Sequence, residues 1–196
     1  MNRRMPESPQ DLHARCADDL RVPPVGEWDS WPFEGELRPK PLRPPGEERV
    51  REGEGGADCP ACTKPDSDYV WTDERWRLLE LGPSGLPMIL ILEPREHYDS
   101  VSDLPEELAR EMGVMLARVE RAVLSIGEIG RVHIGRWGEG SAHLHWWFIA
   151  RPRGYTQMAS SFAEIWDGVL PPTPEDVWKD NVARVVAALG PPVAGA

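Results

Sequence analysis

Two apolar runs in the middle of the chain set the first elements: Tyr69-Val-Trp-Thr with Arg75-Trp-Arg-Leu-Leu-Glu-Leu81, then Met88-Ile-Leu-Ile-Leu92. Both have the length and composition of strands, and the turn signal Gly82-Pro-Ser-Gly85 between them predicts an antiparallel hairpin. The apolar period then lengthens. Leu108, Met112, Met115, Val119, Val123 and Ile126 fall on one helical stripe, and Asp103 with Glu106 reads as a capping box at its start. After Gly127 the strand pattern returns in Gly130-Arg-Val-His-Ile-Gly135. A glycine-rich turn, Gly138-Glu-Gly-Ser141, then leads into a predicted strand that begins at His143-Leu-His-Trp-Trp-Phe-Ile149 and runs to Arg151. Residues 158–169, with Phe162, Ile165 and Trp166, predict a short helix. Thr173 as N-cap and Pro174 at the first helical position open a last helix that stops at Gly190-Pro191. There is no internal repeat. The order β-β-β-α-β-β followed by helices predicts an α+β fold, with helices packed on one side of an antiparallel sheet.

Three regions follow from this pattern: a Pro-rich, partly ordered N-terminal extension (1–56), a core domain (57–155) and a C-terminal helical extension (156–196). The extension holds Pro6, Pro9, Pro23, Pro24, Pro32, Pro39, Pro41, Pro44 and Pro45 and ends in Glu-Gly-Glu-Gly-Gly, so neither a helix nor an interior strand is expected there. Trp28-Asp-Ser-Trp31-Pro-Phe33 is too aromatic for a pure linker and is expected to dock as an irregular strap. At 196 residues and 40% hydrophobic, the chain suffices for one compact core with appendages.

Charge and motif content narrow the function classes. A net charge of −11 disfavours binding to a nucleic-acid backbone, and the scattered arginines leave room only for a small anionic ligand. No apolar run reaches the length of a membrane span and no secretory signal is visible, so a cytoplasmic location is expected. Three cysteines do not suggest a disulfide scaffold, and Cys16 reads as a bystander.

The candidate chemistry lies in cysteine and histidine. Cys59-Pro-Ala-Cys62 has the spacing that lets two thiolates bind one zinc, although a CxxC alone is a weak signal and needs two further ligands. His97, directly after the third predicted strand, and His143 can supply them if the sheet brings them together. A thioredoxin-type redox pair would open a long helix, which Thr63-Lys-Pro65 interrupts, and a zinc finger would need much shorter intervals. A pair of buried free cysteines is the bland alternative. His143 and His145, two residues apart, are expected on one face of a strand, with Trp147 on that face and Trp146 and Phe148 in the core. His133, between Val132 and Ile134, reads as a packed histidine outside the site.

These residues, in this order, resemble the histidine-triad (HIT-like) superfamily, in particular its zinc-containing branch with galactose-1-phosphate uridylyltransferase. The resemblance covers roughly residues 57–153 and rests on CxxC, hairpin, Pro-x-x-His, helix, strand, glycine-rich turn and His-x-His. It implies a HIT-like antiparallel sheet with one long helix packed on it. It implies a structural Zn2+ on Cys59, Cys62, His97 and His143, and His145 as the nucleophile toward an α-phosphate. Ser141, Gly140 and Arg136 would then contact the phosphate, with Trp147 as a further substrate-binding residue. The implied activity is that of a nucleotide phosphohydrolase or nucleotidyltransferase on a small nucleotide or phosphate-ester ligand, through a phosphohistidine-type intermediate. Two positions depart from the family pattern: Trp147 replaces the third histidine, and Glu139 stands where many members carry a phosphate-binding glutamine. An alternative register, with Ser141, His143 and His145 as the three positions, makes His143 the nucleophile and removes the fourth metal ligand. A noncatalytic zinc-stabilised binding or scaffold protein with a degenerate phosphate site is the competing reading. Family members commonly form homodimers; the sequence leaves the oligomer open.

Overall fold

The structure is a computed structural model and describes residues 7–191. Two compact units divide the chain, Met1–Arg49 and Val50–Ala196. The first carries a helix, α1 (Pro9–Cys16), where proline content argued against one. Position explains the difference. Pro9 is the first helical residue, where its missing N–H costs nothing, and the Ser8 hydroxyl accepts the Asp11 N–H at 3.1 Å. Farther along this unit the His13 ring meets the Leu42 carbonyl at 3.1 Å, and Trp31 packs edge-on against Phe33.

The second unit is the α+β fold the pattern predicts. A single turn, α2 (Pro60–Thr63), spans the CxxC motif. Strands β1 (Trp71–Thr72), β2 (Trp76–Glu80) and β3 (Ile89–Pro94) follow, then α3 (Glu106–Leu124), β4 (Ile129–Gly135), β5 (Trp146–Pro152), α4 (Phe162–Val169) and α5 (Glu175–Leu189). The five strands form one antiparallel sheet in the order β1-β2-β3-β5-β4. The predicted hairpin is β2–β3, with Leu78 opposite Leu92.

Alternation sends Leu78, Leu90, Leu92, Trp146, Phe148 and Ala150 to one face, where they meet Leu108, Met115, Val119 and Val123 of α3 and Trp178, Val185 and Leu189 of α5. Burying each large apolar side chain here contributes roughly 1.5–3 kcal/mol. The expected helical stripe is therefore the buried face of α3, with Met112 half-buried at its margin and Ile126 half-buried just past its C-terminal end. On the opposite face Ile89 and Ile149 pack with Leu86, Met158 and Ala163. Gly85 permits the approach of α4, since a Cβ there would lie 2.5 Å from the Asp167 carbonyl oxygen.

Four local expectations are corrected. The capping box lies three residues earlier than expected, between Ser100 and Asp103, because Pro105 holds the preceding residue extended and α3 can begin only at Glu106. Thr173 does not cap α5; its hydroxyl donates to the Leu86 carbonyl at 3.1 Å and Pro174 takes the cap position. Met158 is not helical but fills the core beneath α4. The strand expected to hold His143 and His145 starts only at Trp146, so both histidines lie in the loop that leads into β5. That loop pairs elsewhere: the Leu144 N–H donates to the Tyr98 carbonyl at 2.8 Å.

Candidate functional site

Sheet order places the site. Because β5 lies beside β3, the loop before β5 passes over the segment that leaves β3, and α2 packs beside both. Cys59, Cys62, His97 and His143 thereby bring one ligand atom each to a common point, all within 4.8 Å of one another. The Cys59 Sγ lies 3.5 Å from His143 Nδ1, and the Cys62 Sγ lies 3.5 Å from His97 Nδ1 and 3.6 Å from His143 Nδ1. Cys59 and His143 are each 1% exposed, whereas Cys62 is at the surface.

The outer nitrogens settle which atoms point inward. His143 Nε2 meets the Pro94 carbonyl at 2.8 Å, and a carbonyl can only accept, so this nitrogen carries the proton and Nδ1 presents its lone pair to the thiols. His97 Nε2 meets the Asp99 carboxylate at 2.8 Å with the same consequence. Asp99 is fixed in turn by the Gly55 N–H, 3.1 Å from each of its oxygens. The bond to His97, and after it that to Gly55, holds the Asp99 carboxyl below the usual carboxylate value. Burial lowers the His143 pKa, which favours the neutral imidazole a metal requires. Burial, with Cys59 alongside, pushes the Cys62 thiol up to about 11. Two sulfurs and two oriented imidazoles around one point are a donor set for a soft or borderline divalent metal, and these four residues can hold such an ion.

Beneath this cluster lie charges the sequence reading passed over. Arg77 and Glu93, 3% and 5% exposed, face each other across β2 and β3 at 3.0 Å. Tyr69 donates to Glu93 at 2.5 Å, and Arg77 also donates to the Ala61 carbonyl, inside the CxxC turn, at 2.9 Å. The signal was present as an arginine between Trp76 and Leu78 in one strand and a glutamate at the end of the apolar run in its partner. Asp99 could have been found from the His-x-Asp spacing, which puts both side chains on one side of an extended segment.

His145 stands apart from the thiols. Its Nδ1 donates to the His143 carbonyl at 2.7 Å, which leaves Nε2 with the lone pair. It is half-buried, and the Trp147 ring lies 6.2 Å away on the same side, with Trp137 a further 6.4 Å beyond Trp147. Trp146 and Phe148 are in the core. Arg136 donates to the Asp99 carbonyl at 3.0 Å, and Gly140 and Ser141 lie in the loop between β4 and His143. Glu139 is exposed. His133 is half-buried on β4 opposite Ile149, outside the cluster. His143 faces the cysteines while His145 does not. Among the described residues, no helix is long and apolar enough to cross a membrane.

No protein-family model matches the sequence, and no curated protein matches it. Solved structures do match. A hypothetical histidine triad nucleotide-binding protein from Sulfolobus tokodaii aligns with a TM-score of 0.50 at 14% identity, covering 67% of this chain and 91% of that one. A histidine triad protein from Sinorhizobium meliloti gives 0.50 at 19% identity, covering 62% and 90%. One from Marinobacter aquaeolei gives 0.50 at 18% identity, covering 63% and 90%. With the sheet order, the long helix on one face and the histidine loop before the last strand, the chain has the fold of the histidine triad proteins.

Proposed function

We propose that this protein is a zinc-stabilised, histidine-triad-type nucleotidyl hydrolase or transferase that acts through His145 on a small nucleotide conjugate. The observation that carries the reading is the 2.7 Å bond from His145 Nδ1 to the His143 carbonyl. It fixes the tautomer of the neutral ring in which Nε2 carries the lone pair and can attack without a second base. Attack of Nε2 on an α-phosphorus forms an N–P bond as the bond to the leaving group breaks and the leaving group departs with its electron pair. Water or a second acceptor hydroxyl then attacks the same phosphorus and releases its proton to solvent, and the N–P electrons return to His145 Nε2. Charge that develops on the phosphate oxygens is met by the backbone N–H groups of Gly138 to Gly140, the Ser141 hydroxyl and the Arg136 guanidinium. Cys59, Cys62, His97 and His143 would hold zinc; with four protein ligands, the ion supplies rigidity rather than an open coordination position.

His145→Asn keeps an amide near the Nδ1 position and removes the nucleophile. Turnover of nucleoside phosphoramidates and dinucleotides is expected to fall by about three orders of magnitude or more. Unchanged turnover removes His145 from the chemistry.

A second reading, a noncatalytic zinc-stabilised binding or scaffold module, is favoured by one observation. Trp147 occupies the position of the third histidine, packs against the Ile89–Ile149 cluster, and has its Nε1 enclosed without a hydrogen-bond partner. Titration of AMP monitored by tryptophan fluorescence separates the readings: no binding at millimolar ligand favours the scaffold.

A further inference from the structure

The glycine-rich stretch before Cys59 reads in sequence as the end of a partly ordered extension, yet its backbone is engaged on every side. The Glu52 N–H donates to the Gly140 carbonyl at 2.9 Å, and the Ala142 N–H donates to the Glu52 carbonyl at 2.9 Å. Together these bonds make a parallel bridge between Glu52 and Ser141. Gly53 follows with φ +76°, against Cys59: a Cβ there would lie 2.9 Å from both Cα and Cβ of Cys59 and 3.1 Å from its Sγ. Gly55 donates to both oxygens of Asp99, and a Cβ on Gly56 would lie 3.6 Å from the His97 ring. Arg51 reaches the Asp99 carbonyl at 3.4 Å and comes within 4.0 Å of its carboxylate.

Residues 51–56 therefore touch two of the four ligands, the carboxylate that orients His97, and the glycine-rich loop. Left-handed conformations at Gly53, Gly55 and Gly56 are what let so short a segment do so. Among the described residues, the backbone hydrogen bonds that reach residues 138–142 from outside their loop come from Glu52.

We propose that residues 51–56 are a positioning clasp, through which a metal ion that draws Cys59 and His97 together also sets the glycine-rich loop 138–142 in its binding shape. The consequence for ligand binding rests on the nucleotide reading above; the clasp itself does not. Coupling of this kind is reciprocal, so loosening the loop end must weaken the hold on the metal. The side chain of Glu52 is exposed, so its contribution is that of its backbone.

Two measurements on the full chain decide the matter. In the first, amide hydrogen exchange is followed in zinc-loaded and chelator-stripped protein. Stripping is expected to speed exchange at Glu52 and Ala142 by about tenfold or more while β3 amides stay protected. Equal protection at Ala142 in both states overturns the clasp. The second uses only loaded protein, so it decides even if stripping unfolds the chain. Glu52→Pro lacks the N–H that holds Gly140 and is expected to release zinc to a chelating dye about tenfold faster than wild type. Glu52→Ala keeps that N–H and is expected to release it at the wild-type rate. Wild-type release from Glu52→Pro, or release from Glu52→Ala as fast as from Glu52→Pro, overturns the proposal. AMP titration is the companion arm: loaded protein is expected to bind AMP more tightly than stripped protein, and equal affinity counts against the clasp. Failure of loaded protein to bind AMP removes the nucleotide reading alone, and exchange and zinc release still decide the clasp.

Discussion

Three imidazoles in the second half of the chain differ in how their nitrogens are used. His143 holds a carbonyl through Nε2 and His145 holds one through Nδ1, whereas His133 has a backbone hydrogen bond with Met158 but keeps its Nε2 enclosed without a partner. Burial, and after it the Arg151 charge, lowers the His133 pKa below its ordinary 6.5. The unfolded chain takes up this proton near 6.5 while the folded chain resists it. The contribution of His133 to stability is therefore full above 6.5 and is lost as pH falls through its lowered folded value. His133→Phe is expected to flatten the decline in urea midpoint on the acid side of 6.5; an unchanged slope shows that another group carries it. At this scale the sequence was legible where a residue type is rare for its setting. Cys59, Cys62, His97 and His143 were named from spacing and family order, and they converge. Asp99 and Gly53 were not named, because an acid or a glycine in a loop is ordinary until its neighbours are known.

At the scale of elements, the buried Arg77–Glu93 pair joins β2 to β3 and to the CxxC turn. Taking two charges out of water costs more than a neutral contact of the same shape, so the pair is weak as a source of stability but severe when broken. Glu93→Leu alone is expected to lower unfolding stability by about 3–5 kcal/mol, and Arg77→Met with Glu93→Leu to recover most of it. Urea unfolding of the single and double variants checks this; equal losses in both refute it. The apolar period identified β2, β3, α3 and β4 because their buried faces repeat. It failed at boundaries, where single bonds decide: Pro105 delays α3, Ser8 starts α1, and the Leu144–Tyr98 bond turns the histidine segment out of the sheet.

For the whole molecule, the metal ligands lie outside the main apolar core, so the fold is expected to survive metal removal with reduced stability. An ion present at a thousandfold excess over its dissociation constant adds about 4 kcal/mol. For a chain of this size that corresponds to a fall in Tm of roughly 8–16 °C on chelation. Calorimetry with and without chelator, alongside metal analysis, tests this: an unchanged Tm on chelation of freshly purified, zinc-loaded protein is the contrary result.

The ligands are also far apart along the chain: Cys59 precedes His143 by 84 residues. Gathering ends that distant in an unfolded chain costs roughly 4 kcal/mol of loop-closure entropy, which the sheet has already met in the folded one. The order of synthesis matters too. At about 5–20 residues per second, the ribosome presents both thiols some 4–16 s before His143 emerges, 81 residues after Cys62. During that interval the CxxC turn is a half-site, open to oxidation or to exchange with other thiols. In the order of translation, the four-residue cluster can close only once His143 has emerged, after β1 to β4 and α3 and ahead of β5, α4 and α5.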